Sequence, residues 1–270
     1  MNDFLYATAW KMKPPEPYSS FHLIFFTVGL ILSVALAWRL RKTTEKQNRA
    51  VLLTIGLILL ISEIYKQLFY TFVLGGGEYQ WWIFPFQLCS IPMYLCLIIP
   101  FLREGKLRDA MYDFMLAFNL MGGFISFFEP SGLIHDYWTL TLHAFTWHMI
   151  LVFIGFYIGF SGRAGRRMAD FKRAAFMFLC LCVIAFAINL IFFDISGGTI
   201  KMFYVGPAIS PIAVFKSIAT EYGWYVNTPI YIACLTFAAF VFYAPFAYFH
   251  SRAKNNLPRG KKQLLKTAVR

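Results

Sequence analysis

Long apolar runs separated by short polar or basic clusters organise this chain. Seven of them lie near 20–38, 50–73, 82–102, 110–129, 139–160, 174–194 and 226–249. Each is long enough to cross about 30 Å of hydrocarbon, which takes about 20 helical residues. Backbone N–H and C=O groups meet no water at that depth, so each run is expected to close its own hydrogen bonds as a helix. Trp81-Trp82 opens the third run and Tyr137-Trp138 precedes the fifth, which suits aromatic anchors at a membrane–water boundary. The pattern predicts an all-α polytopic membrane bundle of seven transmembrane helices. Residues 1–250 are expected to form one transmembrane domain and 251–270 a basic tail.

Composition agrees with this pattern. Of the 270 residues 59% are hydrophobic and 14% charged, against about 45–50% and about 25% in soluble domains. A soluble fold of this size cannot hide that much apolar surface, and a disordered chain is excluded by the same figures. The net charge of +12 would point to nucleic acid in a soluble protein. Position changes that reading. Three loops (39–49, 103–108, 163–173) and the segment after 250 hold 20 of the 25 Lys and Arg residues. The opposite side holds only Lys11, Lys13, Lys201 and Lys216. The positive-inside rule then puts the N-terminus outside and the C-terminus in the cytoplasm, in a cell membrane. The basic tail is expected to touch anionic lipid heads, and no nucleic-acid partner is expected. Residues 1–18 contain no apolar core of the kind a cleaved signal needs. The long outer connection 195–225 contains an amphipathic stretch from Pro211 to Ile218, expected to lie on the membrane surface.

Polar residues inside the runs carry the chemistry. A charge near the bilayer centre costs about 2.5–3.5 kcal/mol, so such residues are functional candidates. Glu63 and Lys66 stand three apart on one face of the second run and can pair. At about 1.5 Å per residue, Glu63, Lys66, Gln87, Cys89, His143, His148, Asn119 and Asn189 all fall in the outer half, at about 6–16 Å depth. Five runs thus contribute to one polar layer, which predicts a cavity opening outward. The plainer alternative is a set of interhelical hydrogen bonds worth about 0.6 kcal/mol each. Asp113 lies near the inner interface, where water or Arg108 is its expected partner. Pro85 and Pro92 should bend the third run and free carbonyls. Asn119, Gly122, Gly123 and Ser126 form a small-residue packing face. His143 and His148 are five apart, so the i, i+4 spacing of a helical metal site is missing, and neither metal nor other cofactor is expected. The five cysteines lie in apolar runs and suggest no disulfide framework. Cys89 alone has polar neighbours, and a nearby histidine could act as its general base.

Several segments together resemble the YwaF-type family of bacterial integral membrane proteins. They are the Glu63 helix, Phe84-Pro85-Phe86-Gln87-Leu88-Cys89-Ser90, Phe145-Thr146-Trp147-His148, Asn189, Pro211 and Gly223-Trp224-Tyr225. That family is distantly similar to eukaryotic transmembrane acyltransferases of ether phospholipids, which are related in fold to hydrolases of fatty-acid esters. The resemblance implies a nucleophile on one helix served by a histidine on another, with His148 as that histidine. In the acyltransferases Cys and then His follow the third-run proline. Here Phe86 and Gln87 occupy those places, and Cys89 follows almost one turn later.

The expected function is that of a multi-pass membrane protein with an outward polar cavity, acting as a lipid acyltransferase or fatty-acyl ester hydrolase. His148 and Cys89 are the expected catalytic pair. Glu63, Lys66, Gln87, Asn119, His143 and Asn189 line the cavity, and a lipid or small molecule is the substrate. A proton-coupled or small-solute transporter, or a non-catalytic membrane component, is the alternative. Topology is testable by fusion. A reporter placed after Arg270 should behave as cytoplasmic, and activity of a periplasm-only reporter there would overturn the orientation.

Overall fold

The computed structural model describes residues 2–207 and 209–255 and is all α, with no strand among them. A short helix, α1 (Asn2–Ala7), precedes α2 (Ser20–Leu40), α3 (Glu45–Leu74), α4 (Ile91–Ile98), α5 (Lys106–Phe128) and α6 (Trp138–Phe160). Then come α7 (Phe171–Ile191), α8 (Ala213–Tyr222) and α9 (Trp224–Asn255). Helices α2, α3, α5, α6, α7 and α9 are long and apolar enough to cross a membrane. The tail expected over 251–270 lies outside the described residues from 256 onward, and Ser251–Asn255 continue α9.

The seventh expected crossing differs from a continuous helix over 82–102. A 3-10 turn covers Trp81–Ile83, residues 84–90 are not helical, and α4 begins only at Ile91. A 3-10 turn, Ile99–Phe101, ends it. Proline explains the break. Pro85 cannot donate, and its ring pushes Phe84 out of the helical region to ψ 132°. Pro92 sits in the first turn of α4, where a missing N–H leaves nothing unbonded. The eleven residues Ile91–Phe101 extend about 16 Å, about half the hydrocarbon. The broken segment still carries the chain across the bundle. Arg108 at the start of α5 meets Glu45 at the start of α3 at 2.7 Å, so the chain is back at the end from which α3 set out.

Two ends of the bundle are tied differently. At the basic end, Asp113 is fully buried, and Arg173 reaches it at 2.7 Å from α7. Tyr243 of α9 donates to the other carboxylate oxygen at 2.9 Å, and the Gly165 N–H approaches that same oxygen at 3.3 Å. Arg108 goes to Glu45 and Glu104 instead. The expected Asp113–Arg108 pairing is therefore corrected. Arg173 lies 60 positions away in sequence, and only the packing of α5 on α7 brings it there. Nearby, Asn48 of α3 bonds Tyr112 of α5 and Tyr157 of α6 at 2.8 and 2.9 Å. At the other end the N-terminal segment folds over the helix ends. Met12 N–H donates to the Asp136 carbonyl, Trp138 N–H to the Trp10 carbonyl, and the Thr8 and Tyr65 hydroxyls share a bond.

Between the ends lies a dry core. Phe114, Phe118 and Phe178 stack with centroids 5.4 and 4.2 Å apart. Small residues set the close crossings. A Cβ on Gly123 would stand 3.0 Å from the His148 carbonyl, and one on Gly155 2.5 Å from Leu120, as expected where small residues let helices approach. Outward faces are apolar: Leu23, Ile24, Ile31, Ile61, Ile64, Phe176 and Val183 are all exposed.

Removing the Asp113 carboxylate should cost more than removing that of Glu45. A buried ion pair broken on one side loses about 3–5 kcal/mol, while a partly exposed one loses about 0–1 kcal/mol. Asp113→Ala is expected to lower the unfolding midpoint in detergent far more than Glu45→Ala. Equal effects would show that Asp113 is not the structural anchor of that end.

Candidate functional site

The site is built where the broken segment 84–90 meets α3, α6 and the connection after α7. On α3, Glu63, Lys66 and Gln67 lie at i, i+3 and i+4, on one face. The Lys66 ammonium is 2.8 Å from Glu63 Oε1, and the Gln67 amide donates to the same oxygen at 2.6 Å. The same amide nitrogen donates to the Ile83 carbonyl at 2.7 Å. Both neighbours only accept, so the NH2 face of Gln67 must point at them. Gln67 thus joins the ion pair to the broken segment. Sequence reasoning missed it, although its place one turn after Glu63 was a usable signal.

Two carbonyls of the segment take side-chain donors, and those of Phe84, Gln87 and Ser90 take backbone N–H groups. Tyr94 donates to Pro85 at 2.7 Å and Trp147 to Cys89 at 3.0 Å. Gln87 approaches the Trp82 carbonyl at 3.4 Å and the Lys201 carbonyl at 3.4 Å, long for such bonds.

A second irregular stretch packs against the first. Ile200, Met202, Phe203 and Val205, in the long connection 195–225, are buried in the core. Phe203 stacks on Phe86 at 5.8 Å, and Trp81 on Phe192 at 5.3 Å. Phe203 and Tyr204 have φ values of 54° and 51°, a left-handed conformation that side chains disfavour. Asn189 holds them there. Its amide donates to the Met202 and Val205 carbonyls at 2.9 and 2.7 Å, and its oxygen accepts from Met202 N–H at 2.7 Å. The amphipathic stretch after Pro211 forms α8, which packs on the start of α9 through Phe215 and Tyr231, centroids 4.8 Å apart.

From α6, His143 and Trp147 share a face and stack at 5.4 Å. The indole of Trp147 is the donor that holds Cys89. His143 Nε2 is buried and has no hydrogen-bond partner among the described residues. His148 lies about 100° further round the helix. Its Nδ1 meets the Ala144 carbonyl at 2.8 Å. A carbonyl only accepts, so Nδ1 carries the hydrogen and Nε2 presents the lone pair. Among the described residues the Cys89 thiol makes no hydrogen bond to either histidine.

His135, in the loop before α6, was not foreseen. Burial, reinforced by Lys66 and opposed by Asp136, holds its imidazole below the ordinary value and so neutral. Gln87 and Cys89 belong to the broken segment, Glu63 and Lys66 are tied to its start through Gln67, and Trp147 bonds it one turn from His143. Asn119 and Asn189 bind backbone instead. Asn119 donates to the Leu151 carbonyl at 3.1 Å from a π-helical turn, Met115–Asn119.

Six long apolar helices around an intramembrane polar site define a multi-pass membrane protein. The TMEM164 family model matches residues 17–246, and the chain belongs to the TMEM164 family. No curated protein and no solved structure matches it.

Glu63 and Lys66 should behave as one unit. Glu63→Gln and Lys66→Met are each expected to cost about 3–5 kcal/mol, since each leaves a buried charge alone. The double change should cost clearly less than the sum. Strict additivity in a double-mutant unfolding cycle would show that they are not partners.

Proposed function

We propose that this protein is a membrane-embedded acyl-transfer enzyme, moving a fatty acyl group from a lipid ester to a lipid hydroxyl or to water. Its basic end faces the cytoplasm, and the site opens toward the other leaflet. One arrangement carries the reading. Trp147 fixes the backbone of Cys89, and its neighbour His148 is locked in the tautomer with a free Nε2. The resemblance to transmembrane ether-phospholipid acyltransferases points to the same histidine.

In this mechanism His148 Nε2 takes the thiol proton of Cys89, and the sulfur attacks the ester carbonyl. The C–O bond breaks, the proton passes from His148 to the departing alkoxide, and the acyl group remains as a thioester. An incoming hydroxyl then gives its proton to His148 and takes the acyl group, restoring the thiol. Lys66 places positive charge beside the developing anion, where low dielectric strengthens it. Gln87 supplies an amide donor on the same broken segment. The non-helical backbone at 84–90 leaves room for a substrate carbonyl beside a residue that a regular helix would bury in its own turn.

Transport through the same ion pair is the competing reading. The stacked Phe114, Phe118 and Phe178, all fully buried, close the bundle between the pair and the basic end. A solute path would have to open that stack.

The full chain in nanodiscs, given a lipid with a labelled acyl chain and a lysophospholipid acceptor, should transfer label. Intact-mass analysis should find an acyl adduct on Cys89. His148→Ala should slow transfer by about 10²–10⁴, the usual worth of a general base, with the unfolding midpoint unchanged. Full activity in Cys89→Ala would remove Cys89 as nucleophile. Absence of any transfer by the folded protein would overturn the enzyme reading.

A further inference from the structure

Two grooves of about 530 Å³ each lie on the lateral surface. One, between α2 and α6, is lined by residues such as Ile24, Val28, Leu32 and Phe153, with Ser33 and Thr146 its only hydroxyls. The other is aromatic and ends in a histidine. Trp38, Phe124, Phe156, Phe160 and Phe246 line it, and His250 stands at the basic end of the bundle. Its lining on α9 runs from Val241 to His250, ten residues spanning about 14 Å, which matches one leaflet of the hydrocarbon.

Charge is concentrated at that end of the groove. The Arg41 guanidinium lies 3.9 Å from the Trp38 ring centre, on the groove wall. His250 Nδ1 donates to the Gly165 carbonyl at 2.8 Å, which leaves Nε2 free. Arg166 donates to the Gly162 carbonyl at 2.7 Å, in the turn that His250 touches. Gly162 and Gly165 both have φ of 66°, and a Cβ on Gly165 would stand 2.7 Å from Leu116. Glycine thus lets the turn lie flat against α9 and brings Arg166 beside His250. Arg108, Arg167 and Arg173 each have a carboxylate partner. Among the described residues Arg41 and Arg166 have none within 4 Å. Two cations without counter-charge therefore stand at the headgroup end of an acyl-sized groove.

We propose that this groove is a binding site for one anionic phospholipid of the basic-side leaflet. An acyl chain lies along Phe124, Phe156 and Phe246, and the phosphate is held by Arg41, Arg166 and His250. Basic pockets between membrane helices are suited to anionic headgroups. The lining of the α2–α6 groove contains no charged side chain. The site is separate from the acyl-transfer site, and its test does not depend on activity.

Trp38 is the built-in reporter. The full chain in nanodiscs carries either a dibrominated-chain phosphatidylglycerol or the matching phosphatidylcholine, and the Trp38 signal is the difference between the chain and its Trp38→Phe variant. Bromine on the anionic lipid should quench that signal at about a tenfold lower mole fraction than on the zwitterionic one. Arg41→Gln combined with Arg166→Gln should abolish the preference while leaving quenching by bulk lipid. Val241→Phe, which narrows the groove, should weaken quenching by both lipids. Equal quenching by the two lipids overturns the proposal, as does a preference that survives the double arginine change. Quenching that ignores Val241→Phe overturns the seating of the chain.

Discussion

Hydrocarbon offers no hydrogen bonds, so every backbone group at membrane depth must find its partner inside the protein. That constraint organises this structure. Where the chain is helical, the requirement is met locally and side chains are free to pack. Where Pro85 breaks the helix, carbonyls need donors from elsewhere, and Gln67, Tyr94 and Trp147 supply those of Ile83, Pro85 and Cys89. The same need explains Asn189, whose amide is spent on residues 202–205. Long-range polar side chains in the half away from the basic end are thus a consequence of its two irregular segments.

The ion pair fits this logic. Glu63 binds Lys66 and Gln67 together, and Gln67 in turn binds the Ile83 carbonyl. A neutral pair at those positions would satisfy the hydrogen bonds equally well at lower desolvation cost. What charge adds is a cation held at the start of the broken segment through Glu63 and Gln67. Under the acyl-transfer proposal that cation would stabilise a developing anion.

Much of the architecture was legible because hydropathy reports burial in lipid directly. Six of seven expected runs are long helices, and the Glu63–Lys66 pair follows from spacing alone. Hydropathy says nothing about hydrogen bonding, which is why 82–102 read as one helix although Pro85 and Pro92 were visible. Residues 200–205 were placed outside because their run is short and flanked by glycine. Their burial depends on Phe86 and Phe178, which only the fold brings near. Asp113 and Arg173 are likewise joined by packing rather than spacing. The orientation of His148 was also beyond sequence, since its free nitrogen is decided by one bond to Ala144.

The two ends of the bundle therefore divide the work. At the basic end, carboxylates and arginines are matched in a network that ties α5, α7 and α9, and the stacked phenylalanines seal the interior above it. Phe203 and Tyr204 sit in a disfavoured conformation that persists because Asn189 and the aromatic stack over-determine it. The proposed acyl transfer would draw on such fixed geometry, since small displacements of reacting groups are costly to rate. Strain and polarity are concentrated in the half where an acyl-transfer reaction would use them, and the other half is packed and charge-matched to support it.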